Sequence, residues 1–236
     1  MNVISRIECA SAQEIFLLAG RIAPWFAVAA ALFCLGAIYI GFVLEPDNLR
    51  HWNDYRILLL HVPAAVMSMM IYLVIAFCVG LWLVHGSLAS AMMISAVAPT
   101  GAMFAVLALW TGSLWVKSTT GIWWNWNPLF VSELILLLLY LSIMALQATS
   151  SDLRRTDRAV AMLTLVGVVN IPMIYSSHHW QSGLHPGMQA MVVVMLLLMS
   201  GFCAYTVAMV SIRVRCILLE YERGMRWAAD YAKGWV

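Results

Sequence analysis

Apolar runs of twenty or more residues recur along this chain, and short polar clusters punctuate them. A transmembrane helix takes about 20 mostly apolar residues, so the intervals between charges locate the spans. They predict helices at about 22–44, between Arg21 and Glu45; 57–84, between Arg56 and His85-Gly86-Ser87; 88–112; and 129–148, with Glu133 as the sole acid. The uncharged stretch 159–212 is too long for one helix. A polar run from Ser176 to Gly187 interrupts it and leaves spans at about 159–177 and 187–212. Membrane β-strands would alternate lipid-facing and lumen-facing residues over about ten positions, whereas Ile135 to Tyr140 and Met191 to Met199 are continuously apolar. The pattern predicts an all-α integral membrane protein with six transmembrane helices, one membrane domain over 1–236, and an outer loop at 113–128. Residues 1–20 carry Arg6, Glu8 and Glu14 among apolar positions. They read as an interfacial amphipathic helix rather than a cleavable leader.

Composition agrees with this pattern. Of 236 residues, 64% are hydrophobic and 10% charged, where a soluble domain carries about 25% charged residues. The few charges then orient the chain. With the N-terminus inside, ten Lys and Arg residues fall on inner segments, and only Arg50, Arg56 and Lys117 fall outside. The positive-inside rule puts both termini in the cytoplasm. A net charge of +2 conceals that asymmetry, and nothing in it suggests a nucleic-acid partner. Cys9 and Cys216 fall inside, and Cys34, Cys78 and Cys203 lie within helices, with no C-x-x-C pair. Neither a disulfide nor covalent attachment of a cofactor is expected.

Orientation concentrates chemistry on the outer face. His51, His61, His178, His179 and His185 lie there, as do seven of eleven tryptophans: Trp52, Trp110, Trp115, Trp123, Trp124, Trp126 and Trp180. An interfacial belt should decorate both membrane surfaces; here Trp123-Trp124-Asn125-Trp126 crowds one loop. Indole has a wide apolar face and one N–H donor, so the cluster reads either as a headgroup anchor or as a platform for a planar hydrophobic ligand. A porphyrin is such a ligand, and its iron takes axial imidazoles. His61 lies about 7 Å below the outer boundary, at 1.5 Å per residue from Arg56, and an ionisable side chain there is usually functional. Ala64, Ala65 and Ser68 form a small-residue face beside it, which suits either a flat macrocycle or a closely packed helix. Arg56 is a candidate partner for a propionate. Pro186 suits the first position of a helix and puts His185 at its outer N-terminal edge. His178 and His179 share that loop, and periodicity does not rank the three. Glu133 is placed to brace the Trp-rich loop at the start of the fourth span, or is a neutral carboxyl bonded to backbone.

Three segments carry a family resemblance: Arg56-Ile57-Leu58-Leu59-Leu60-His61-Val62-Pro63-Ala64-Ala65; Gly121-Ile122-Trp123-Trp124-Asn125-Trp126-Asn127 leading into Ser132-Glu133-Leu134; and Leu184-His185-x-Gly187. Together they resemble the cytochrome c maturation protein C family of haem-handling membrane proteins, whose wider group is named for a tryptophan-rich, aspartate-ending motif. The likeness covers about residues 20–215. It implies six helices with cytoplasmic termini in a bacterial inner membrane. It also implies haem b held non-covalently on the periplasmic face, with His61 and His185 as axial ligands and the Trp-rich loop (Trp115, Trp123, Trp124, Trp126, Asn127) beside it. The implied partners are a periplasmic haem chaperone, a small single-span subunit, and the ATPase and membrane subunits of an ATP-binding-cassette (ABC) transporter. The chain departs from the family pattern at Thr120 (usually Trp), Ile122 (usually Thr), Asn127 (usually Asp) and Leu129 (often Arg). These departures raise the weight on Arg56, and then on Arg50 and Lys117, as outer cations. The competing readings are a quinone-linked b-type oxidoreductase and a cofactor-free transporter subunit.

Overall fold

The computed structural model describes residues 3–44, 52–85, 88–149, 153–172 and 188–221. Six long helices account for nearly all of them: α1 (Val3–Tyr39), α2 (Trp52–His85), α3 (Leu88–Thr120), α4 (Pro128–Thr149), α5 (Leu153–Val168) and α6 (Met188–Tyr221). No strand occurs among the described residues. Helices α1, α2, α3, α4 and α6 are long and apolar enough to cross a membrane. Helix α5 has 16 residues, with a helical turn continuing to Pro172.

The helices are longer than the hydropathy pattern alone suggests. Helix α1 runs without a break from Val3, through Pro24, to Tyr39. No separate interfacial helix precedes it. A π-helical turn, Ile40–Leu44, closes its C-terminal end. Helix α3 continues to Thr120 instead of stopping near 112. At 1.5 Å per residue it measures about 50 Å, against a hydrocarbon core of about 30 Å.

Lipid tails are as apolar as leucine, so helices in a bilayer associate through close packing and hydrogen bonds. Both devices appear in the α2–α3–α4–α5 core. Tyr72 and Tyr140 meet edge to face at 5.5 Å. The Tyr140 hydroxyl donates to the Ser68 carbonyl at 2.6 Å, and that of Tyr72 to the Thr164 carbonyl at 3.2 Å. Glycines make the room: a Cβ at Gly101 would run into the Tyr140 ring, and one at Gly167 into the Tyr72 hydroxyl. Asn170 donates to the Ser132 carbonyl at 2.8 Å, tying α4 to the end of the fifth helical segment. Near Pro99 of α3, Arg213 of α6 donates to the Ala96 carbonyl at 3.2 Å and to the Thr100 hydroxyl at 2.5 Å, tying α6 to α3.

Helix α3 is the most buried of the membrane-length helices and α1 the least. Helix α1 lies along α6 and barely touches α2. The gap this leaves is a groove of about 600 Å³ walled by α1, α2 and α6, with Thr111 and Leu114 of α3 also lining it.

Candidate functional site

The Trp-rich loop is fastened at both ends. Gly121 takes a left-handed φ of 79°, the conformation that ends helices and that glycine adopts without a Cβ penalty. Its N–H donates to the Lys117 carbonyl at 2.9 Å. At the other end the Asn127 side-chain oxygen accepts the Phe130 N–H at 2.9 Å, an N-cap reinforced by Pro128 at the first helical position. Of the two sequence-based readings of Glu133, bracing this loop and a neutral buried carboxyl, the bracing falls to Asn127 instead. An Asp at 127 would cap through the same oxygen, so the departure from the family pattern preserves this bond.

Between those ends, Trp124 is half-buried and packs edge to face on Trp126, with centroids 5.5 Å apart, and on Phe130 at 5.2 Å. Its indole N–H is buried without a hydrogen-bond partner among the described residues. An orphaned donor of that kind costs about 1–3 kcal/mol. Trp123 and Trp126 are 56% and 77% exposed, and the Lys117 ammonium stands 3.7 Å from the centre of the Trp123 ring. Trp115 lies on α3, half-buried, rather than in the loop. Trp123 and Trp124 also close a second groove, of about 430 Å³, against Leu109 and Trp110 of α3 and Leu137 of α4.

His61 projects from α2 toward α3. Its Nδ1 lies 2.9 Å from the Ala108 carbonyl and 3.3 Å from the Thr111 hydroxyl. A carbonyl only accepts, so Nδ1 carries the hydrogen and, in the neutral ring, Nε2 carries the lone pair. Gly112 permits this approach: a Cβ there would lie 3.0 Å from His61 Cε1 and 3.1 Å from the tip of Phe130. A cavity of about 30 Å³ borders the imidazole, with Ala65, Phe130 and Glu133 among its walls. Glu133 is 6% exposed and accepts the Ser68 hydroxyl at 2.7 Å. The small-residue face of α2 is filled by neighbouring helices, since Ala64 and Ser68 are fully buried in the bundle core.

His61 and the start of α4 are therefore brought together, and the Trp-rich loop joins them through Phe130. Arg56 is not on the same side of α2. Five residues along a helix correspond to about 140° of rotation, and Arg56 lines the 600 Å³ groove, whereas His61 lines the small cavity. His51, His178, His179, His185, Arg50 and Trp180 lie outside the described residues. Ala108, Thr111 and Gly112 are site residues that sequence reasoning misses. Their only signal is the small, polar Thr111-Gly112-Ser113 break in the apolar run of α3.

Comparison with known proteins is consistent across the chain. The family model for heme exporter protein C matches residues 6–229. Heme exporter protein C of Escherichia coli strain K12 is 35% identical over 231 residues, covering 94% of each chain. The Haemophilus influenzae protein of that name is 30% identical over 229 residues, covering 92% of this chain and 93% of its own. That of Bradyrhizobium diazoefficiens is 37% identical over 179 residues, or 76% and 68%. With a family match over nearly its whole length and relatives aligned end to end, this chain belongs to the heme exporter protein C family.

Proposed function

We propose that this protein handles haem in cytochrome c maturation: it receives haem b as non-covalent cargo on the periplasmic face of a bacterial inner membrane and passes it to a periplasmic haem chaperone. The observation that carries the reading is the His61 imidazole. Iron-ligating histidines almost always bond their other nitrogen to a carbonyl or carboxylate, which fixes ring orientation and raises ligand basicity. The 2.9 Å contact from Nδ1 to Ala108 supplies that partner in advance.

His61 and His185 are the axial pair in this reading. Three features suit a planar, dianionic macrocycle: the exposed indole faces of Trp123 and Trp126, the unmatched Trp124 N–H, and the outer cations Lys117 and Arg56. Bound haem would supply iron as the Lewis acid that the imidazoles grip. The chain's own residues hold, orient and release it, with no turnover chemistry of their own. Asn127 keeps the loop in register with His61 by capping α4, and Trp115 lies on the last turns of α3 before the loop departs.

Six transmembrane spans with both termini cytoplasmic complete the topology in this reading, the fifth corresponding to the uncharged stretch at about 159–177 of the sequence. The protein works beside a small single-span subunit and the ATPase and membrane subunits of an ABC transporter, in contact with membrane lipid. The test is spectroscopic. Purified protein is expected to show six-coordinate haem, weakened in His61→Ala and in His185→Ala, and to lose haem to added chaperone. Haem retained unchanged in the double variant would sink the assignment.

A further inference from the structure

We infer that the groove between α1, α2 and α6 is a staging subsite through which haem reaches His61 sideways from the bilayer; this rests on the reading that haem is the cargo. The groove exists because α1 packs along α6 and stands off from α2. Its volume of about 600 Å³ lies within the 300–1,000 Å³ typical of small-molecule sites. The lining is mainly apolar, from Ile38 on α1 to Leu60 on α2 and Val194 on α6, and its sole charged group among the described residues is the Arg56 guanidinium. Arg56 lies near the outer end of α2, so the cation is at the headgroup end of an otherwise oily slot.

That distribution matches haem: an apolar disc with two carboxylates on one edge. A guanidinium binds a carboxylate through paired N–H donors, so the propionates stay at the outer rim while the disc slides inward. The groove borders the site already described, with Thr111 as the wall between them. Thr111 lines it, and the same Thr111 hydroxyl lies 3.3 Å from His61 Nδ1. Haem in the groove is thus one side chain, Thr111, away from His61, and transfer requires it to pass around that side chain to the Nε2 edge of the imidazole. The placement of Arg56 on a different side of α2 from His61 fits a path with two stations rather than a single pocket.

The experiment uses the full chain in lipid nanodiscs, loaded from haem-bearing vesicles and followed by Soret absorbance. Ile38→Trp obstructs the groove at a half-exposed position that tolerates a large ring, and Arg56→Gln removes the guanidinium. Loss of a charge-assisted contact is expected to slow loading about tenfold in Arg56→Gln. Ile38→Trp is expected to load at least that much more slowly while reaching the parent spectrum. Leu35→Trp, of similar bulk on the lipid face of α1 outside the groove, is expected to load at the parent rate. Cys34, a groove residue, gives an independent readout. Maleimide labelling mapped to this cysteine by mass spectrometry should be blocked by haem in the parent and also in His61→Ala. Parent-like loading by Ile38→Trp, or equal labelling of Cys34 with and without haem, overturns the subsite. Protection by vesicles of phosphatidylglycerol alone makes it a lipid site and overturns it equally. A spectrum indifferent to His61, with the groove results as expected, instead removes the axial-ligand reading and leaves the subsite standing.

Discussion

Substituting Gly112 by alanine tests the site with one methyl group. In the middle of α3 the change should be favourable by helix propensity alone, by about 1 kcal/mol. Here the added Cβ would meet His61 Cε1 at 3.0 Å, Phe130 Cζ at 3.1 Å and His61 Nδ1 at 3.3 Å. All three approaches are closer than ordinary van der Waals contact, so the imidazole and the Phe130 ring must each give by a few tenths of an ångström. Overpacking of this kind costs about 1–3 kcal/mol, which outweighs the propensity gain. The ring has one direction of retreat, away from α3, and that lengthens its 2.9 Å bond to Ala108. Loss of an outer-shell partner to a metal ligand lowers affinity by about 10–100-fold, and Gly112→Ala is expected to weaken haem binding by that much while leaving the protein folded. Haem titration followed by Soret absorbance measures it, with unfolding in detergent as the stability control. Gly80→Ala is the matched comparison, because a Cβ there meets nothing within 4 Å. It should be neutral or slightly stabilising and leave haem affinity alone. If Gly112→Ala binds haem within about twofold of the parent, a difference inside the usual error of such comparisons, the orientation of His61 by α3 does not govern binding.

Two further outcomes follow from the loop and the core. Asn127→Ala is expected to cost about 1 kcal/mol through the lost N-cap and to alter near-ultraviolet circular dichroism from Trp124 and Trp126, whereas Asn127→Asp keeps both the cap and the signal. Gly101→Ala drives a methyl into the buried Tyr140 ring and should destabilise the bundle by about 3 kcal/mol in detergent unfolding, with Tyr140→Leu in the same chain restoring part of the loss.

Five membrane-length helices were legible because hydropathy measures what a bilayer demands of each residue, and the exposed indoles were legible because tryptophan is concentrated in one loop. Asn127 was legible too: Asn before Pro at the edge of an apolar run is a helix-start signal, and Phe130 N–H bonds to it. Weighing Glu133 for the same task overlooked that a carboxylate five residues into a helix is past the exposed N–H groups, and Ser68 of α2 took it instead. The separation of Arg56 from His61 was available from helical geometry, at about 100° per residue. The contribution of α3 was not. Which glycine on one helix makes room for a histidine on another depends on rotation and register between them, and no one-dimensional pattern carries either. The extra length of α1 and α3 was hidden for a different reason. Charges and hydroxyls mark where lipid ends, and a helix can run on past that line when its hydroxyls bond back to its own carbonyls. Ser118, Thr119 and Thr120 do so at the end of α3.

That overrun turns α3 into a ruler. A helix of about 50 Å crossing a slab of about 30 Å cannot hide the excess by tilting, since helices rarely lean beyond about 40°. Its surplus turns must project, and they carry Lys117 and the departing Trp123 up with them. Bilayer thickness then bears on how wet the indoles are: a few ångströms of added lipid would draw Trp123 and Trp126 down among the headgroups, and a thinner membrane would lift them clear of it. Acyl-chain length is thereby expected to set the exposure of this loop with no change in sequence.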